Sequence, residues 1–412
     1  MGWLGLDDTD SLDGGCTTAT FEALLCGLPS GVEVGVPRLV RLWPFAQRRT
    51  RGNAALAVEL NFDDEAALLQ HLDAWWNDRI APLRGAVASS AISERPQSPA
   101  SPGMVYYSKR PDDRFYWEAV RKEVELDSLP PPSKAWGGFG KIGAAAAISW
   151  PAQTKTWEAI AWRASDDASK KRSIDLNALH EIDGWEGVVL SRDPRNGNGL
   201  IAPRGRSPVL FGVRGTSSDA AQAACQHLIQ ASATEPVSGW RVFVTNQASG
   251  DHLPDPLTLT VNEVETHPER KHARIQTSGP TVVAYAEGGP VNSLARWLVK
   301  GDVITVLGLS HPDGSLHAER IKLESWVPRR LQRPLCDTCQ VRLKSMGKGQ
   351  GLRCPTCKAR SADVWLPVPE EPPVVDWVEP PMSARRHLAR PLAWEEGGAR
   401  NQMVQNDEKG CP

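Results

Sequence analysis

Four cysteines stand in two pairs, Cys336-x2-Cys339 and Cys354-x2-Cys357, separated by 14 residues. Thiolates at this spacing come from two tight knuckles and close a tetrahedral site around one Zn2+, the arrangement of a zinc ribbon. The second knuckle, Cys354-Pro355-Thr356-Cys357, has the turn character that aims backbone amides at sulfur. Four protein ligands leave no open position for a substrate, so this zinc reads as structural. The other cysteines, Cys16, Cys26, Cys225 and Cys411, are scattered singly and read as small core residues rather than disulfide partners.

A second constellation lies near the start of the chain. Asp7-Asp8-Thr9-Asp10-Ser11 is followed by Gly14-Gly15-Cys16-Thr17-Thr18. Three carboxylates at the end of a strand repel one another unless a cation sits among them. Hard oxygen ligands suit Mg2+, which usually shares its coordination with a nucleotide phosphate. Gly14 and Gly15 let the backbone approach an anion, and Thr17 and Thr18 at a helix N-terminus offer hydroxyls and amide N–H groups to phosphate. An acidic turn capped by Asp10 or Thr17 is the plain alternative. The segment is not a Walker A loop, because no GK[ST] follows. It also departs from a DxDx[TV] phosphatase motif, because Leu12 follows Asp8-x-Asp10-x.

Three weaker signals accompany it. Arg48-Arg49-Thr50-Arg51-Gly52-Asn53, between two strands, is either a solvated basic loop or a phosphate contact near the acidic site. Gly137-Gly138-Phe139-Gly140-Lys141-Ile142-Gly143 is anion-friendly, although glycine-rich turns before a strand are common. Thr245-Asn246-Gln247 with Asp251-His252 reads as a polar turn at the end of an apolar strand, with a site as the alternative.

The net charge of −2 gives no global sign of a nucleic-acid partner, but the zinc-binding region does. Between Arg329 and Arg360 stand Arg329, Arg330, Arg333, Arg342, Lys344, Lys348, Arg353, Lys358 and Arg360 against the single acid Asp337. So one-sided a patch repels itself, and a polyanionic partner is the natural explanation.

The elements that must hold these residues read as α+β. Residues 2–6 form a short buried strand and Thr17 opens a helix through Leu25. Val32–Val36, Leu39–Leu42 and Ala54–Leu60 read as strands, and Glu65–Trp76 has helical spacing. Ala144–Ser149, Glu158–Arg163, Val209–Arg214 and Trp240–Thr245 read as further strands, with a helix over Ser218–Gln230. Residues 279–328 form a compact β module with strands Pro280–Tyr285, Val303–Leu309 and Leu316–Trp326. The last two are joined at His311-Pro312-Asp313-Gly314, which suits an OB-fold barrel. The proline-rich stretch after Ala362 reads as an extended linker ending in the basic residues Arg385, Arg386, His387 and Arg390. Nothing near Met1 resembles a signal peptide and no stretch approaches the roughly 20 apolar residues of a membrane span, so a cytoplasmic protein without a membrane or obligate protein partner is expected.

Taken in order, these pieces resemble the archaeal tRNA(Ile) 2-agmatinylcytidine synthetase family. The match is carried by GLDDTDSLDGGCTT (5–18), TRGNAALAVEL (50–60), GFGKIGAAAAI (138–148), WEAIAWR (157–163), PVLFGVRG (208–215) and FVTNQASGDHL (243–253), then by the cysteine pairs and ARRHLARPL (384–392). The resemblance implies four modules. They are a kinase-like domain at 1–105 that can be discontinuous, a ferredoxin-like domain at 106–255, an OB-fold at 278–328 and a zinc ribbon at 331–362, with a tail at 363–412. It also implies an ATP-dependent ligase that phosphorylates the C2 oxygen of the wobble cytidine in the CAU-anticodon isoleucine tRNA and replaces it with agmatine, so that the tRNA reads AUA. By the same resemblance Asp7, Asp8 and Asp10 hold Mg2+, and Thr17 lies beside the transferred group as the threonine that becomes autophosphorylated. Gly14, Gly15, Thr18, Arg51, Gly52 and Asn53 meet ATP phosphates. Arg329, Arg330, Arg333, Arg342, Lys344, Lys348 and Arg353 meet tRNA. The chain departs from the family pattern at Trp43-Pro44-Phe45, at Ala54-Ala55 and at Lys141. Two rival readings are a non-catalytic RNA-binding protein and a related ATP-dependent enzyme that uses another amine.

Overall fold

The computed structural model describes residues 1–10, 15–49, 52–85, 98–164, 170–203, 205, 207–368 and 371–396. It divides into two compact units: residues 1–255 with 309–313 and 380–412, and residues 256–308 with 314–379. Among the described residues no helix is long and apolar enough to cross a membrane.

The first unit is organised by one ten-stranded sheet. In chain order its elements begin with β1 (Gly2–Asp7), α1 (Thr17–Cys26), β2 (Glu33–Val34), β3 (Arg38–Arg41), β4 (Ala54–Asn61), α2 (Glu65–Trp75), β5 (Gly103–Tyr107) and α3 (Arg114–Ala119). They continue with β6 (Lys134–Gly137), α4 (Gly140–Ser149), β7 (Thr156–Arg163), α5 (Leu176–Asp183), β8 (Val188–Val189), β9 (Val209–Gly215), α6 (Ser218–Gln230) and β10 (Val237–Thr245). The strand order β6-β5-β1-β4-β3-β10-β7-β9-β8 joins two antiparallel halves. Their seam is a short parallel pairing, Val244 with Arg38 and Thr245 with Leu39.

Helices α1 and α6 lie where the sequence places them, and α2 stops one residue short of the expected Trp76, where a π turn continues over Trp76–Ile80. Of the expected Val32–Val36 strand, Glu33–Val34 pairs with β4. The segment read as a strand over Ala144–Ser149 is instead the second half of α4. Every residue from Gly143 to Ser149 is buried, so no polar face betrays the period, and alanine favours the helix. The small side chains let α4 lie directly on β1, where a Cβ at Gly5 would overlap the Ala144 carbonyl. Leu4, Leu6, Leu56, Leu60 and Tyr106 fill the core on one face of this half, while Ala55, Ala57, Val105, Tyr116 and Ile148 fill the other. A separate core under the second half contains Ala159, Ala161, Leu210, Phe211, Ala224 and Leu228.

The second unit contains a closed five-stranded barrel: β11 (Leu257–Thr266), β12 (Ala273–Thr277), β13 (Val282–Ala284), β14 (Val303–Ser310) and β15 (Leu316–Ser325). Its first strands therefore begin before residue 278, ahead of the expected module. The helix α7 (Pro290–Trp297) packs Val291, Leu294 and Ala295 into the barrel core. In the ribbon, β16 (Leu331–Gln332) precedes β17 (Lys344–Ser345), β18 (Leu352–Arg353) and β19 (Arg360–Ser361), which form a small sheet. β20 (Leu366–Pro367) returns to pair with β16, and Val378 bridges Ile321, so parts of the expected linker are tied down.

Candidate active site

The seam of the large sheet gathers strand ends whose next residues are polar. β1 ends in Asp7, β3 in Arg41, and β10 leads into Asn246 and Gln247. Asp7 and Arg41, together with Glu158 on β7 and Arg214 on β9, line a cavity of about 500 Å3. Asp7, Asp8, Asp10, Thr17 and Thr18 line it from one side, Gly52 and Asn53 from another, and Arg48 and Arg49 also reach it. Gly14 and Arg51 lie outside the described residues. Gly15 sits at φ +76°, a backbone state that favours glycine, and a Cβ there would meet Asp10 and Thr9.

Asp7 is enclosed by packing that permits no larger neighbour. A Cβ on Gly143 would overlap its carboxylate, and one on Gly140 would press on its carbonyl. Burial foremost, then the Asp8 and Asp10 charges, raise its pKa well above the usual carboxylate range, against the stabilising N–H of Asp8. That N–H donates to Asp7 Oδ1 at 2.7 Å, while Asp8 Oδ2 accepts the Ser101 N–H at 2.7 Å. Asp8 itself adopts φ 60°, an uncommon conformation for a non-glycine residue. Asp10 Oδ1 accepts from Thr17 Oγ1 at 3.4 Å. Thr18 Oγ1 accepts from Trp162 Nε1 at 3.0 Å, so a residue of the second half-sheet holds a hydroxyl of the first.

These aspartates suit Mg2+ chemically, since a buried carboxyl with a raised pKa and a like-charged neighbour is relieved by a cation. Among the described residues they do not belong to a cluster of three or more ligating groups, whereas Cys336, Cys339, Cys354 and Cys357 do. One or two carboxylates together with phosphate oxygens and water match the habit of Mg2+.

The far wall is cationic and was not found by sequence reasoning. Arg41 is held by its own backbone: its N–H donates to Asn246 Oδ1 at 2.7 Å, and Asn246 Nδ2 returns a bond to the Arg41 carbonyl at 2.8 Å. Asn246 also donates to Tyr116 Oη, which donates to Asp251 at 2.6 Å. The polar run after β10 is thus a turn, as its sequence suggests, but a buried one that braces the strand ends. Arg214 Nε lies 3.8 Å from Glu158 Oε1, and the other Glu158 oxygen accepts from Gln247 Nε2. His387, from the returning C-terminal segment, completes the wall, anchored where the Ala248 and Gly250 N–H groups donate to the carbonyls of His387 and Leu388. Lone charges inside apolar strands, Glu158 in WEAIAWR and Arg214 in VLFGVRG, were the available signal.

In the ribbon the four sulfurs lie within 4.8 Å of one another, and Cys336 and Cys357 Sγ are 3.6 Å apart. Sulfurs about 2.3 Å from a tetrahedral zinc stand about 3.8 Å apart, so the knuckles fit the ion. Against the burial that would raise it, the N–H groups of Cys357 and Thr356 bring the Cys354 thiol down to about 6. Arg330, Arg342, Lys344, Lys348 and Arg353 are exposed and Arg333 half-buried. Arg329 is different: it pairs with buried Asp302 at 2.6 Å and stacks on Trp297 at 3.8 Å.

TiaS from Methanosarcina mazei, a 2-agmatinylcytidine synthetase acting on an isoleucine tRNA, is 32% identical over 95% of this chain and 97% of its own. The chain belongs to the TiaS family. The Methanopyrus kandleri member is 30% identical over 95% of this chain and 96% of its own. Residues 3–65 match the TiaS TCKD domain, 138–252 the TiaS FLD domain and 333–365 the TiaS C-terminal zinc ribbon domain. The crystal structure of TiaS in complex with its isoleucine tRNA and ATP superposes with a TM-score of 0.75 at 26% identity, covering 95% of this chain and 97% of that one. Within the TiaS frame the cavity lies between residues of the TCKD match, such as Asp7 and Thr17, and residues of the FLD match, such as Glu158 and Arg214. Helix α4 falls inside the FLD match yet packs against β1, β4 and β5.

Proposed function

We propose that this chain carries out the reaction for which its family is named, the ATP-dependent replacement of the wobble-cytidine C2 oxygen by agmatine in the CAU-anticodon isoleucine tRNA. The observation that carries this reading is the shared cavity, in which an acidic wall and a cationic wall face one another across the seam of one sheet. A cytosine C2 oxygen is a poor leaving group. Phosphorylation converts it into a good one, and the primary amine then displaces phosphate.

Asp7 and Asp8, with Asp10 beside them, hold Mg2+ and ATP phosphates at the acidic wall. Mg2+ supplies charge neutralisation for phosphoryl transfer when bound. Thr17 lies next to the transferred group and is the position for autophosphorylation. The phosphate-binding role goes to Gly14, Gly15, Thr18, Arg51, Gly52 and Asn53. Arg41 and Arg214 stand ready for the anionic leaving group, and Glu158 is the carboxylate on the FLD side suited to a cationic amine. The flipped wobble base enters between these walls. The exposed cations of the zinc-stabilised ribbon hold the tRNA backbone. The setting is the cytoplasm, where tRNA is modified.

The test is incorporation of radiolabelled agmatine into an isoleucine tRNA transcript bearing a CAU anticodon, with ATP and Mg2+. Label in the wild-type reaction and none with Asp8→Ala is expected. Tight tRNA binding without label would refute the reading and favour another amine or a binding protein.

A further inference from the structure

We infer that His387 is the proton acceptor for the amine-transfer step, brought to the cavity by the returning C-terminal segment. The inference rests on the function proposed above. His387 lines the cationic wall of the cavity with Arg41 and Arg214. Its Nδ1 is 3.1 Å from Gln247 Oε1 and 3.3 Å from Arg214 Nη2. Nδ1 thus faces one acceptor and one donor, and the shorter contact, to Gln247 Oε1, selects the tautomer. Gln247 Nε2 donates to Glu158, so its Oε1 accepts and Nδ1 carries the hydrogen, with the Arg214 guanidinium as a neighbouring charge. The lone pair is left on Nε2, beside the Gly52 loop that also lines the cavity.

The electrostatics suit a base that waits for its substrate. The Arg41 charge foremost, then burial and Arg214, hold the imidazole well below its usual range, so it is neutral before reaction. Glu158 faces it through Gln247, while Arg48, Arg49, Asp7, Asp8 and Asp10 line other parts of the same cavity. A phosphorylated base placed against Arg41 and Arg214 offsets the two charges that disfavour the imidazolium. The proton affinity of His387 therefore rises when a proton must be taken up. In the step itself the neutral amine attacks C2, the C2–N bond forms and the C2–O bond breaks. Phosphate leaves with the bonding electrons, and the surplus amine proton passes to His387 Nε2 and on to phosphate.

The test compares the full-length protein with His387→Asn, whose side-chain amide preserves the donor to Gln247 but has no basic nitrogen. With tRNA, ATP and labelled agmatine, ATP-dependent phosphorylation of the tRNA is expected to persist. Label incorporation should fall roughly 10²–10⁴-fold, the range for loss of a general base. The part of the acid limb of the incorporation rate that belongs to His387 should disappear with it, leaving the parts that belong to Asp7 and to the amine. Added imidazole should restore incorporation in His387→Ala. Incorporation by His387→Asn within about threefold of wild type would overturn the proposal. So would an equal loss of both steps with no rescue by imidazole, which would mark a structural role. Absence of label from the wild-type reaction would instead count against the function on which the proposal rests.

Discussion

The ribbon and the cavity are built on opposite principles. The ribbon draws its four ligands from 22 consecutive residues, Cys336 to Cys357, and spacing alone fixes their chemistry. The cavity draws its walls from Asp7, Arg41, Glu158, Arg214 and His387, brought together only by the strand order at the seam of the large sheet. A local site reports its ion through sequence, whereas a distributed site reports its chemistry only after folding. The two should therefore fail differently. Removing zinc with a strong chelator, or substituting Cys354→Ser, withdraws on the order of 10 kcal/mol of metal-coupled folding energy from the ribbon. We expect the chelator to release about one zinc per chain, tRNA affinity to fall, and ATP to bind as before. Loss of ATP binding on chelation would break the contrast.

The next largest effect is at the acidic wall. Asp7→Asn should lower agmatine incorporation on the order of 10³-fold, corresponding to several kcal/mol of lost charge stabilisation. Stability without Mg2+ should move the other way. Because the folded protein raises the pKa of Asp7, its carboxyl favours folding when protonated. That contribution is present below the ordinary carboxylate value near 3.9 and is lost as pH rises through the raised value. At neutral pH the metal-free variant should thus melt higher than wild type, with the gap closing on acidification. A melting temperature lower than wild type at neutral pH would show that Asp7 is not strained by its neighbours.

How much of this could be read beforehand follows the same division. The cysteine knuckles, the aspartates, β1, α1 and α6 were legible because each is signalled within a few residues. Helix α4 was not, since Ala144–Ala147 and Ile148 are buried all round and show no amphipathic period. The opening strand of the barrel was missed because β11 buries only Leu259 and Val261 among exposed Thr and Glu residues. Arg41 and His387 were illegible for another reason. Their roles come from partners some 200 and 140 residues away in sequence, Asn246 and Gln247.

Helix α4 also offers a smaller perturbation of the cavity. Gly143→Ala leaves every charge in place but puts a methyl group where the Asp7 carboxylate now lies. Overpacking of this kind costs about 1–3 kcal/mol. We expect a lowered melting temperature, an agmatine-incorporation rate between those of wild type and Asp7→Asn, and unchanged tRNA affinity. A variant with wild-type rate and stability would mean that Asp7 can shift freely, and that its enclosure does not set its position.

The smallest effects belong to single ribbon cations. Arg353 is exposed and Lys344 opposite it in the β17–β18 pair is exposed too, so each meets at most one or two phosphates. Arg353→Ala should weaken tRNA binding by roughly 1 kcal/mol or less, reduce the slope of log affinity against log salt by about 1, and leave the melting temperature unchanged. Arg329, counted from sequence among the same cations, should behave otherwise. Its guanidinium is spent on Asp302 and Trp297, so Arg329→Ala strands a buried carboxylate and lowers stability while the salt slope holds. If both variants changed the salt slope alike, charge count rather than exposure would govern the ribbon's grip, and Arg329 would have to release Asp302 when tRNA binds.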